Sequence, residues 1–286
     1  MTGSLTKAQI EAYRRDGYLC PIRVFGAEET RAQRATFEGL EAQFEGSLPR
    51  PVSAYCRTNG HLVMEQPRQI ASDPRILDAV ESVLGPDLLL WSAEYFTKEA
   101  GSQKVVSWHQ DITYWGMGET DHEVTVWLAL SPATAESGCM QFVPGSHRSS
   151  LVDHRDTFSA DNLLSRGQEI AVEVDEADAV AAALEPGEIS LHHGRLFHSS
   201  GPNTSADRRI GFVMRFIRPD TPSTGKGLDY AMLMRGCDRS LSRINVVPPA
   251  GDFSDAALAL YEEVLGAQAA TLTDGAAETV GQYEPA

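Results

Sequence analysis

Ser107, Trp108, His109, Gln110 and Asp111 close an apolar, strand-like run and open into Ile112-Thr113-Tyr114-Trp115-Gly116. Side chains along a strand alternate faces, so residues two apart point the same way. His109 and Asp111 therefore aim an imidazole and a carboxylate at one point. That is two-thirds of a two-His, one-carboxylate set, which holds Fe(II) on one face and leaves other positions open. Alone, His-x-Asp also fits a hydrogen-bonded strand end or a helix N-cap. The segment gains weight from what lies downstream. A second strand-like run, residues 188–198, ends in His198, and Asp207-Arg208-Arg209 opens a further apolar run to Ile217.

The first third of the chain reads as helical. Thr6 and Gln9 form a capping box for a helix to about Arg15, which Gly17 ends. A short strand over 18–24 follows, then a polar helix over 27–45 with Phe37, Leu40 and Phe44 on one stripe. Residues 52–66 read as irregular, and Asp73 caps a third helix that Gly85 stops. The middle is β-rich, with strands expected over 88–96, 105–108, 123–131, 139–143, 170–174, 188–192 and 209–217. The strand over 123–131 alternates as a half-buried strand does. Residues 153–167 are long and polar and read as an insertion. A last amphipathic helix covers 254–265, and the tail from Ala267 is small, polar and expected to fray. Many short strands with Gly and Pro turns predict a jelly-roll or small barrel. With no strong boundary, the 286 residues read as one domain: a helical N-terminal third, a β core over about 88–218, and a C-terminal helix and tail.

These residues resemble the phytanoyl-CoA dioxygenase family of Fe(II)- and 2-oxoglutarate-dependent oxygenases. That family has His-x-Asp, a distal His, and an Arg eleven residues beyond it, which fall here on His109, Asp111, His198 and Arg209. A Trp eighteen residues after the first His falls on Trp127, and a Ser two after the distal His on Ser200. The Val143-Pro-Gly-Ser-His147 run and the opening Leu5-Thr6 … Asp16-Gly17-Tyr18 also look like family features, and the likeness runs from about residue 5 to about 220. The resemblance implies a double-stranded β-helix core, with Fe(II) as cofactor, 2-oxoglutarate as co-substrate and O2 as oxidant. Arg209 would clamp the distant carboxylate of 2-oxoglutarate, since guanidinium binds carboxylate through two parallel hydrogen bonds. Ser200 would donate its hydroxyl to that carboxylate, and Trp127 would lie beside it as an apolar wall. Lys98 ends the strand before the metal segment, a place from which the family contacts co-substrate or substrate. Related halogenases carry a small residue at the Asp111 position, so its carboxylate favours hydroxylation.

Substrate contacts follow less directly. Tyr95, Tyr114, Trp115 and Met117 would crowd the cleft mouth if Asp111 faces iron. Arg215, six residues past Arg209 on one strand, offers a cation for a substrate anion or a barrel-end ion pair. His61, beside Gly60, stands within possible reach of a substrate. His192 and His193 face opposite sides of their strand, and neither has an Arg at the right distance to be the distal ligand. No basic cluster suits the phosphates of coenzyme A, so a small or medium metabolite is expected to be hydroxylated, with succinate and CO2 released. Desaturation, epimerisation or ring formation at the same iron is the enzymatic alternative; a metal-binding β-barrel without turnover is the other.

A formal charge of −16 argues against nucleic acid or anionic membrane as partner. No run of eighteen apolar residues occurs, and the N-terminus lacks a signal-like pattern. Cys20, Cys56, Cys139 and Cys237 lie far apart and read as reduced thiols. A cytoplasmic enzyme acting on a small molecule is the expectation.

Overall fold

In a computed structural model, which describes residues 3–159, 161–278 and 280–283, a helical layer packs against one face of a long sheet. Helix α1 (Lys7–Asp16) carries the expected capping box, with Gln9 N–H bonding Thr6 Oγ1 and Thr6 N–H bonding Gln9 Oε1, and ends at Gly17 with φ +81°. After strand β1 (Tyr18–Arg23), α2 (Ala27–Phe44) buries Phe37 and Leu40. The stretch expected to be irregular holds α3 (Val52–Arg57) and, after one tight turn, the start of α4 (Glu65–Ala71). Val52, Tyr55 and Cys56 are its buried residues, at helical spacing, but six residues are too few to give a periodic signal. Helix α5 (Pro74–Leu84) starts where Asp73 accepts from the Arg75 N–H, with proline in its first turn.

The strands are β2 (Leu88–Lys98), β3 (Val106–His109), β4 (Glu123–Ala129), β5 (Met140–Phe142), β6 (His154–Arg155), β7 (Glu169–Ile170), β8 (Val180–Ala182), β9 (Glu188–His192), β10 (His198–Ser200), β11 (Arg209–Ile217), β12 (Tyr230–Arg235) and β13 (Ile244–Asn245). One sheet runs β1-β9-β4-β11-β2-β12-β13, and a smaller one β3-β10-β5-β8. Two facing sheets of this kind, one wide and one narrow, make the expected jelly-roll, a double-stranded β-helix with flanking helices. The strand expected over 170–174 shortens to β7, while β8, β12 and β13 were not foreseen.

Strand parity decides what each face of the large sheet does. Ala93 and Tyr95 of β2, Val124, Val126 and Leu128 of β4, Ile189 and Leu191 of β9, and Ile210, Phe212 and Met214 of β11 pack under the helices as the main core. The opposite parity faces the small sheet. Strand β4 is therefore buried on both faces along its length, not half-buried. Helix α6 (Asp255–Leu272) is longer than expected, and the tail beyond it returns to the body: Val280 is buried and Gln282 Nε2 donates to Thr58 Oγ1 at 2.6 Å. Part of the expected fraying falls on Thr279 and residues 284–286, outside the described residues. The polar insertion folds over the small sheet, where Leu163 N–H bonds Val105 O and Arg166 pairs with Asp156. No described helix is long and apolar enough to cross a membrane, and all four cysteines are free.

Candidate active site

Strands β3 and β10 are antiparallel neighbours with His109 directly opposite His198. That register stacks the two imidazoles, centroids 4.0 Å apart. Asp111 follows β3 at the start of a short 3-10 turn, and its Oδ1 lies 3.4 Å from His109 Nε2 and 3.8 Å from His198 Nε2. One ligand atom from each of the three falls within 4.8 Å of the others. A metal about 2.1 Å from each donor at right angles would set them about 3.0 Å apart, so only small adjustments separate this set from a facial triad.

The hydrogen bonds around the imidazoles fix which nitrogen is free. His109 Nδ1 meets the carbonyls of Ser107 (2.9 Å) and His198 (3.0 Å), and His198 Nδ1 meets that of Leu196 (2.9 Å). A carbonyl only accepts, so both Nδ1 atoms carry the proton and both Nε2 lone pairs face Asp111. Burial, with His109 next, holds the His198 imidazole well below its ordinary range. Burial works against ionisation of Asp111, yet His198, His109, His192 and Arg215 together hold its carboxyl well below the usual range. Neutral imidazole and ionised carboxylate are the protonation states a metal requires.

Asp111 Oδ2 has its own partners. Thr125 Oγ1 donates to it at 3.0 Å, and His192 Nε2 stands 3.5 Å away, at the outer limit of a hydrogen bond. Thr125 and His192 are paired residues of β4 and β9, so the ladder itself puts both on one point. His192 is not among the converging metal donors, yet it lies against one of them. Parity turns His193 away to Asp121, 3.1 Å from its Nε2, and so turns His192 toward Asp111.

Behind the metal set lies a cavity of about 440 Å3, lined by Trp127, Met140, Ser200, Arg209 and Val213 among others. Arg209 is 1% exposed, and burial pulls its pKa down to about 10. Its guanidinium lies 5.5 Å from the Trp127 ring and donates to Ser200 Oγ at 2.8 Å and to Gly138 O. Trp127 can lie there because Gly211 is beneath it: a Cβ on Gly211 would come within 2.0 Å of the indole. Lys98, opposite Arg209 in the β2–β11 register, donates to Ser200 Oγ at 2.7 Å, Ser200 O at 3.0 Å and Gly201 O. Ser200 Oγ in turn donates to Gly138 O at 2.8 Å. Its proton goes here to a backbone carbonyl, while its oxygen accepts from Arg209 and Lys98 and ties them together. Among the described residues neither Arg209 nor Lys98 has a carboxylate within 4.0 Å. Burial, with Arg209 next, lowers the Lys98 ammonium to about 6, so Arg209 is the buried cation of this site, and without a protein anion it calls for an anionic ligand.

A larger cavity of about 720 Å3 opens on the other side of His109 and Asp111. Tyr114, Trp115 and Arg215 line it, as expected. Tyr114 OH donates to Asp156 of the insertion at 3.0 Å, and Arg215 pairs with Glu94 at 2.6 Å while lying 5.0 Å from the Trp115 ring. Three other expectations fail. Tyr95 has the wrong parity: it is fully buried in the main core, stacked on Phe37 at 3.9 Å with its hydroxyl on Gln66. Met117 is fully buried with Leu89, Trp91 and Ile217 because the turn at Gly116 folds it back. His61 sits in the tight turn between α3 and α4, lines neither cavity, and burial holds its imidazole down to about 3. Arg57, Asn59 and Gln168, together with Gln268 and Gln282 near the C-terminus, line the larger cavity instead. Nothing in their local sequence marks them, since they meet only through the fold.

The sequence model of the phytanoyl-CoA dioxygenase (PhyH) family matches residues 13–211. A probable alpha-ketoglutarate-dependent hypophosphite dioxygenase of Stutzerimonas stutzeri is 28% identical over 62% of this chain and 62% of its own length, just under two thirds. L-proline trans-4-hydroxylase of Streptomyces griseoviridis is 28% identical over 74% of this chain and 86% of its own. Among solved structures, the non-heme monooxygenase ThoJ in its apo form superposes with a TM-score of 0.84 at 33% identity, covering 93% of this chain and 97% of that one.

Proposed function

Because this chain belongs to the phytanoyl-CoA dioxygenase family, we propose that it is an Fe(II)- and 2-oxoglutarate-dependent dioxygenase that hydroxylates a small or medium-sized metabolite, with release of succinate and CO2. The observation that carries the reading is one site in which the His109, Asp111 and His198 donors converge and the buried Arg209 guanidinium has no carboxylate partner among the described residues. Fe(II) bound there supplies the redox chemistry that couples O2 reduction to 2-oxoglutarate decarboxylation. His109 Nε2, His198 Nε2 and Asp111 Oδ1 would hold the metal, and the carbonyls on both Nδ1 atoms would keep the rings turned to it. Thr125 and His192 would hold Asp111 Oδ2 aside, so that the carboxylate offers one oxygen and open positions remain. Arg209, held by Ser200, would grip the far carboxylate of 2-oxoglutarate, and Lys98 would hold Ser200 in place from behind. Trp127 and Val213 would exclude water from the chain between. The named relatives act on hypophosphite and on L-proline, which supports a small, polar substrate.

Anaerobic addition of Fe(II) and 2-oxoglutarate should give a weak visible charge-transfer band. His198→Ala should remove that band and iron-dependent succinate formation while leaving the circular dichroism spectrum intact. A folded wild-type protein without the band would favour a metal-binding barrel lacking turnover. Product mass then separates a gain of one oxygen from a loss of two hydrogens or no change.

A further inference from the structure

We infer that the larger cavity seats its substrate through a carboxylate on Arg57, which makes the substrate a small, polar carboxylic acid. The inference rests on the proposed activity, because it takes this cavity as the side from which substrate meets the metal. The cavity shares His109, Asp111, Phe96 and Arg215 with the inner one, so a molecule filling it lies against the metal donors.

Arg57 is the last residue of α3, and its guanidinium stacks 3.9 Å from the centre of the Phe96 ring. One nitrogen donates to Leu163 O at 2.7 Å, which holds the fork in place. A guanidinium has five N–H donors, and this is the only hydrogen bond to a protein acceptor that Arg57 makes among the described residues. Arg57 lines the cavity, and none of its nitrogens is both sealed off and unpartnered, so its free donors remain accessible. No carboxylate lies within 4.0 Å of it among the described residues, whereas Arg215 in the same wall is already paired with Glu94. Glu94 in the same wall attracts Arg57 from farther off but is already paired with Arg215, so Arg57 is left without a carboxylate in contact, and burial lowers its pKa. Planar, stacked and pre-positioned, it suits bidentate capture of a carboxylate. Asn59, Gln168 and Gln282 add amides to the lining, and Trp91, Phe96 and Trp115 are among its larger apolar surfaces.

The test uses protein loaded with Zn(II) and 2-oxoglutarate, which binds without turning over. The proteinogenic L-amino acids and short hydroxy acids are each compared with their carboxamides, by thermal shift and then titration calorimetry. At least one acid should raise the Tm and its carboxamide should not. Arg57→Gln should weaken that acid by about 10–100-fold, and Arg57→Lys by less. Affinity for 2-oxoglutarate within twofold of wild type shows that each variant is folded. Acids and carboxamides responding alike, no acid responding, or undiminished binding in Arg57→Gln would each overturn the inference. Hypophosphite and methylphosphonate form a second arm, and a response to these alone would overturn the carboxylate assignment. Failure of wild type to bind Zn(II) and 2-oxoglutarate would instead overturn the proposed activity.

Discussion

The two cavities meet at His109, Asp111 and Arg215, yet they are made differently. The inner one is lined almost wholly by strand residues: Thr125 and Trp127 of β4, His192 of β9, His198 and Ser200 of β10, Arg209 and Val213 of β11. Their positions are fixed by ladder hydrogen bonds, and each pair can be read from the register. Beyond the metal segment and Arg215 of β11, the outer one takes one wall from β2 and the others from the turn at Tyr114 and Trp115, the end of α3, the insertion before β7, α6 and the tail. Sheet register holds a constellation to the tolerance that chemistry needs, while connections and ends can vary without moving it. The charges differ in the same sense. The inner Arg209 has no carboxylate partner among the described residues, whereas the outer cavity already neutralises one of its two arginines.

The largest effect should come from breaking that neutralised pair. Arg215→Ala leaves Glu94, 8% exposed, as an uncompensated buried charge and should cost roughly 3–5 kcal/mol in chemical denaturation. The double variant Glu94→Gln/Arg215→Met should recover most of the loss. Weak substrate binding with unchanged stability in Arg215→Ala would instead make Arg215 the substrate anchor and erase the contrast with Arg57. Next comes the inner cavity. Arg209→Ala should raise the 2-oxoglutarate requirement about 10–100-fold with little change in Fe(II) affinity, both read by titrating the charge-transfer band. An unchanged requirement would remove Arg209 from that role.

How much was legible follows the same division. His109, Asp111, His198, Arg209, Ser200 and Trp127 sit at fixed separations on a few strands, so spacing finds them. Parity also predicts the failure of Tyr95, which lies an odd number of residues from Lys98 on the same strand and must face the other way. The strand pairing of Thr125 with His192 was hidden for a different reason. The β4–β9 register joins residues 67 apart in sequence, and no local pattern records it. Arg57 lay in a stretch too short for a helical period, and Gln282 in a tail whose composition suggested fraying. Small polar residues become a wall only when long-range contacts collect them, and single-sequence periodicity does not carry those contacts.

A smaller effect tests whether the inner cavity's register extends to the carboxylate itself. Thr125→Val keeps shape but removes the donor to Asp111 Oδ2, and should weaken Fe(II) binding about tenfold. Added to it, His192→Phe should weaken binding further. An unchanged Fe(II) affinity in both variants would mean that the ligand is oriented by its backbone alone.

The smallest effect concerns the floor beneath the metal segment. Glu123 Oε1 accepts the Gly194 N–H at 2.6 Å, and Gly194 O accepts the Ile112 N–H at 3.2 Å, so a buried carboxyl supports the turn that carries Asp111. Burial pushes that carboxyl from its ordinary 4.5 up to about 8. Between those values the folded protein keeps a proton that the unfolded chain has released, so stability falls as pH rises through the window. The slope from this group is at most about 1.4 kcal/mol per pH unit. Glu123→Gln removes the group, so metal-free wild type should lose stability relative to the variant between pH 5 and 8 in urea unfolding. Parallel pH profiles would show that Glu123 is ionised in the folded state, and that the inner cavity rests on an anion rather than on a neutral floor.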